Sequence, residues 1–108
     1  MLIGNLVDNA LKYSPTGTPV HVLISVNDGL CALEVADQGG GIPLAERNKV
    51  FMKFYRMGNE ETRNAQGTGL GLYLVKKIAE QHEAKLQIFD NQPRGTVVKV
   101  IFNRINPL

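Results

Sequence analysis

Two stretches of this chain alternate apolar and polar residues about a turn, and each follows a stretch with helical spacing. From Pro19 to Asn27, Val20, Val22, Ile24 and Val26 alternate with His21, Leu23 and Ser25, and Asn27-Asp28-Gly29 then leads into Leu30 to Asp37. A period of two on both sides of an Asp-Gly turn predicts a β-hairpin. Lys85 to Asp90 and Thr96 to Phe102 repeat the pattern across Asn91-Gln92-Pro93-Arg94-Gly95 and predict a second hairpin. Ahead of the first, Ile3, Leu6, Val7 and Ala10 share one helix face over residues 2 to 12, until Ser14-Pro15-Thr16-Gly17 breaks the pattern. Ahead of the second, Leu70 to His82 places Gly71, Leu74, Val75, Ile78 and Ala79 opposite Lys76, Lys77, Glu80 and Gln81. Between them, Pro43 to Lys49 can open a short helix, with proline at its first position and Glu46 in its first turn. Met57 to Gln66 is polar and aperiodic, a surface loop of a length that is often functional. Helices alternating with antiparallel hairpins define an α+β fold, a two-layer α/β sandwich with its helices on one face of the sheet.

The 108 residues suffice for one domain, residues 1–108, without internal repeat or linker. A charge of +2 from scattered basic residues is too small for a nucleic-acid or membrane footprint. Cys31 has no second cysteine to pair with, which fits a reducing compartment, and its alternation with Leu33 and Val35 marks it as filler. No apolar run approaches the roughly 20 residues that span a bilayer.

Four segments carry chemistry. On the first helix, Asn5, Asn9 and Lys12 fall within a narrow arc, expected to face away from the core. A solvated face is the plain reading. Asparagines are poor helix formers, however, and their amide oxygens suit a hard cation such as magnesium. Asp37 ends a strand on the face shared by Cys31, Leu33 and Val35, so its carboxylate points inward at the sheet's end and needs a donor. An adenine amine is one such donor, with Gly39 and Gly41 allowing close approach; a glycine turn with Asp37 capping local amides is the other reading. Gly67-Thr68-Gly69-Leu70-Gly71 enters the second helix, where free amides and the helix dipole favour phosphate. It is neither a dinucleotide fingerprint nor a P-loop, so it points to a different phosphate scaffold, or to a glycine-rich helix start without ligand. Arg56 and Arg63 flank the polar loop and can donate to phosphate oxygens, whereas Phe51 and Phe54 read as packing residues. His21 and His82 are assigned no catalytic role.

Taken in order, these segments resemble the catalytic and ATP-binding domain of sensor histidine kinases, which shares its nucleotide fold, the Bergerat fold, with gyrase-type, mismatch-repair and heat-shock chaperone ATPases. Asn5 to Tyr13 resembles the N box, Asp37 to Gly41 the first glycine box, Phe51 to Arg56 the F box and Gly67 to Leu72 the second glycine box. The resemblance implies a mixed sheet. It implies ATP and Mg2+ as cofactors, with Asn9 on the metal and Asn5, Lys12 and Tyr13 at the phosphates or sugar. Asp37 would read the adenine amine, with Gly39, Gly41 and Ile42 shaping its pocket. Gly67, Thr68, Gly69, Leu70 and Gly71 would surround the triphosphate, with Arg63 at the lid. Asn5, Lys12 and Arg56 would serve the reaction itself.

The hydrolases of this superfamily carry a glutamate four residues before the magnesium asparagine; here that position is Asn5, and an amide is no general base. Phosphoryl transfer to a protein histidine is therefore expected rather than hydrolysis. Relatives also carry upstream strands and a dimerisation helix pair bearing the acceptor histidine. The chain begins inside the N box, so the expectation is an N-terminally truncated domain whose partners are a histidine-bearing dimerisation domain and, in the full system, a response regulator. The implied location is the cytoplasmic part of a membrane-anchored sensor, with no nucleic acid and no direct membrane contact. Self-association through a free sheet edge is a further expectation. An anti-sigma-type serine kinase and an inactive nucleotide-binding module are the alternatives. Where relatives place two glycines after the histidine ending the second helix, Glu83 and Ala84 follow His82.

Overall fold

The computed structural model describes residues 2–52 and 71–103. Helix α1 runs Leu2–Tyr13, followed by strands β1 (His21–Asn27) and β2 (Leu30–Ala36). Single 3-10 turns at Leu44–Glu46 and Lys49–Phe51 replace the short helix expected over Pro43 to Lys49. Helix α2 (Gly71–Gln81) and strands β3 (Lys85–Asp90) and β4 (Thr96–Phe102) complete the described chain.

Local chemistry accounts for both hairpin starts and helix ends. Asp28 and Gly29 take φ of 50° and 81°, the paired left-handed geometry that lets a two-residue turn follow the strand twist. Asn27 therefore faces Leu30, and the register runs unbroken to His21 opposite Ala36. At the end of α2, Glu83 adopts φ 54°, the Glu83 amide donates to the Glu80 carbonyl, and the Ala84 amide donates to Ala79 at 2.8 Å. This is a Schellman closure, built here on a glutamate where glycine is usual. The turn left open by the missing glycines is thus made at the cost of one left-handed side-chain residue.

The strand order is β1-β2-β4-β3, so the last described strand lies inside the sheet. The sheet expected to be mixed is antiparallel at all three pairings among the described residues: within each hairpin and where β2 meets β4. Leu33, Val35, Val98 and Val100 form its buried face and meet Leu6 and Ala10 of α1 and Leu72, Val75 and Ala79 of α2.

Two helix faces differ from the periodicity reading. On α1 the buried line is Leu6 and Ala10, with Leu2 packed against it, while Ile3 is exposed. The helix is rotated toward Leu2, and Asn5 and Asn9 lie at the border of the buried face rather than opposite it, each half-buried. On α2, Leu72 rather than Leu74 enters the core. Sequence period locates an apolar stripe but not which of two nearby apolar residues the neighbouring layer selects. Strand β1 departs further: every residue is exposed, and Val26 is 75% exposed, because no described helix lies over this edge. Cys31 is half-buried.

Candidate functional site

The site is built where β2 ends. Asp37 follows the strand on its inward side and is 7% exposed, one of two buried polar residues among those described. Its Oδ1 accepts the Gly39 amide at 2.8 Å and the Thr96 amide at 3.2 Å. Its own amide donates to the Thr96 carbonyl at 2.9 Å. Both side-chain bonds fall on one oxygen, leaving Oδ2 without a donor among the described residues. A carboxylate oxygen that the described donors leave free can accept a ligand N–H.

The glycines around it are set by contact and by backbone angle. A Cβ at Gly39 would land on the Tyr13 carbonyl oxygen, so the end of α1 presses directly on this turn. A Cβ at Gly95 would land on the Asp37 carbonyl oxygen, bringing the β3–β4 turn against the same corner. Gly41 takes φ 82°, a conformation that side chains resist. Three elements distant in sequence thus converge on Asp37 and Gly39.

Along α1 the Asn5 Nδ2 is buried and has no hydrogen-bond partner among the described residues. Buried polar atoms are nearly always paired, so an orphan donor on the helix carrying Asn9, Lys12 and Tyr13 fits a ligand oxygen. Asn9 lies one turn on, half-buried; Lys12 and Tyr13 are exposed, Tyr13 at 40%. Magnesium takes few protein ligands and keeps waters and phosphates, so one asparagine oxygen at such a border suits it.

The structure brings Tyr13, Asp37 and Gly39 together and places Asn5 and Asn9 on the same helix as Tyr13. Ile42 is 8% exposed and belongs to the core, where it anchors the glycine segment. Gly71 opens α2, and no described atom lies within 4 Å of where its Cβ would be. Arg56, Arg63, Gly67, Thr68, Gly69 and Leu70 lie outside the described residues, as does the loop from Met57 to Gln66. Four positions not singled out by sequence also belong to this corner: Thr96, whose amide meets Asp37, and Asn91, Arg94 and Arg47, whose side chains bond to its backbone. Only the Gly95-Thr96 pair at a strand start hinted at a close approach.

Residues 1–105 match the model of the family described as Histidine kinase-, DNA gyrase B-, and HSP90-like ATPase. Among curated proteins, the chain is 39% identical to the sensor protein CiaH of Streptococcus pneumoniae, covering 88% of this chain and 21% of that protein. It is 38% identical to the sensor histidine kinase WalK of Bacillus subtilis, over 90% of this chain and 16% of that protein. It therefore spans about a fifth of the length of the curated relatives it matches. The solved mycobacterial sensor histidine kinase MprB superposes with a TM-score of 0.79 at 36% identity, over 94% of this chain and 67% of that one. Full-length ShkA in complex with AMPPNP shares the fold, with a TM-score of 0.78 at 23% identity, over 99% of this chain and 22% of that one.

Proposed function

We propose, because this chain belongs to the Histidine kinase-, DNA gyrase B-, and HSP90-like ATPase family and matches the catalytic ATP-binding domain of sensor histidine kinases, that it binds Mg-ATP and donates the γ-phosphoryl group to a histidine on a separate dimerisation domain. The observation that carries this reading is Asp37: buried, held through one carboxylate oxygen by two backbone amides, with the other oxygen left to read an adenine amine.

Asn5 directs the chemistry. Its orphan Nδ2 donates to a nucleotide oxygen, and its amide cannot take a proton from water. Asn9 holds the magnesium, which when bound neutralises phosphate charge. Lys12 and Tyr13 meet the phosphates or sugar, and Arg56 and Arg63 supply further donors. Gly67 to Gly71 receive the triphosphate at the start of α2. The acceptor histidine's ring nitrogen bonds to the γ-phosphorus as the bond to the β–γ bridging oxygen breaks and ADP leaves. Positioning supplies most of the rate, because the protein adds little covalent chemistry of its own. In the full system the phosphoryl group passes on to a response regulator. No described helix is long and apolar enough to cross a membrane, and a cytoplasmic setting is the one in which ATP is at hand.

The test is titration with ATP and ADP, with and without magnesium, followed by mixing with a separately produced histidine-bearing dimerisation domain. Magnesium-dependent binding and acid-labile phosphate on that domain are expected. Asn5→Glu is expected to raise ATP hydrolysis at the expense of transfer. Rapid hydrolysis by the unaltered chain, or transfer to a serine, would reject the assignment.

A further inference from the structure

The glycine segment after β2 has an unusual fate for its carbonyls. The Asp37 carbonyl accepts Asn91 Nδ2 at 2.7 Å, and the Gly39 carbonyl accepts Arg94 Nε at 3.0 Å. The Ile42 carbonyl accepts Arg47 Nε at 2.9 Å, and the same guanidinium reaches the Ile88 carbonyl and the Asp90 carboxylate. Two of these three carbonyls are thus tied directly by side chains of the β3–β4 turn, 54 and 55 residues away in sequence, and the third is tied through Arg47, whose guanidinium reaches β3. The hairpin turn is itself braced. The Asn91 amide donates to the Gly95 carbonyl at 3.0 Å, and Asn91 Oδ1 accepts the Gln92 amide at 2.9 Å.

A glycine-rich segment has little of its own to hold it in one conformation. Asp37 discriminates adenine only if its free oxygen is fixed relative to the base, since a donor–acceptor match is lost with small displacements. We propose that Asn91 and Arg94 are positioning residues that set base specificity: by holding the Asp37 and Gly39 carbonyls, they fix the carboxylate that reads the 6-amino group. This rests on the reading of Asp37 as the adenine contact. Neither residue touches the base; both act through the backbone that carries Asp37.

The probes are ADP and IDP, which differ at the 6-position, an amine in one and a carbonyl in the other. Asn91→Asp keeps the acceptor for the Gln92 amide but removes the donor to Asp37, and Arg94→Met keeps the stem and removes Nε. In calorimetric titrations of the full chain, the double variant is expected to bind ADP about tenfold more weakly, a change on the scale of one or two hydrogen bonds. IDP affinity changes less, so the ADP-to-IDP ratio falls. An equal loss for both nucleotides reduces the clamp to a general structural role and overturns the proposal, as does an unchanged ratio. If the unaltered chain prefers ADP no more than IDP, the reading of Asp37 fails and the clamp with it. Should the Asn91 variant lose its dispersed amide spectrum, Arg94→Met alone, at an exposed residue, decides by the same ratio.

Discussion

Asp37 separates two jobs that a carboxylate usually mixes. One oxygen is bound to the protein's own amides and the other meets no described donor, which leaves it for the proposed adenine contact. Asp37→Asn retains an oxygen for the Gly39 and Thr96 amides but loses the charged acceptor. The expected result is a folded protein whose ADP affinity falls at least about tenfold by calorimetry, as a charge-assisted bond is roughly twice a neutral one. Glu83 offers a separate test on the opposite side of the energy balance. It holds a left-handed conformation that costs a side-chain residue about 1–2 kcal/mol. Part of that is returned by the extra freedom glycine has when unfolded, so Glu83→Gly should stabilise the fold by up to about 1 kcal/mol in urea melts. The residues that sequence exposed best were those defined by local chemistry, Asp28-Gly29 and Asp37 among them. Asn91 and Arg94 were invisible because their partners lie more than 50 residues away and no period or motif marks such a bond.

At the scale of elements, both strands of each hairpin and the bodies of both helices were legible from spacing, since backbone periodicity is a local property. Which face each helix buries was less so. Ile3 and Leu2 are equally apolar, and only the packing of α1 against α2 and the sheet chooses between them, which in turn carried Asn5 from the solvated face to the border. β1 shows the same limit from the other side: its alternation promised a half-buried strand, but burial depends on what lies above it. Leu6→Ala on α1 should therefore cost about 2–5 kcal/mol of unfolding free energy, because Leu6 is 1% exposed. Ile24→Lys on β1, at 58% exposure, should stay within about 0.5 kcal/mol. We expect copies to pair through β1, an edge of the described sheet, and the same lysine then to suppress concentration-dependent association in sedimentation velocity, since charge on an edge strand blocks such pairing.

For the molecule as a whole, stability and the proposed ligand contact meet at one glycine. Gly95 has φ 107° and sits with its Cα against the Asp37 carbonyl. Gly95→Ala should destabilise the fold by about 1–3 kcal/mol through strain alone. It should weaken ADP binding as well, because the displaced backbone is the one that carries Asp37. Combined urea melts and nucleotide titrations would show both losses in a single variant. The placement of β4 between β2 and β3 also has a consequence for synthesis on the ribosome. Asp37 emerges early, but one of its two amide donors comes from Thr96, at the start of the strand that fills the sheet's interior. A nascent chain halted before that strand holds β1 and β2 without the donor, the turn or the neighbour that finish the corner. On the proposed reading of Asp37, nucleotide is then expected to favour the structure only once β4 has been inserted.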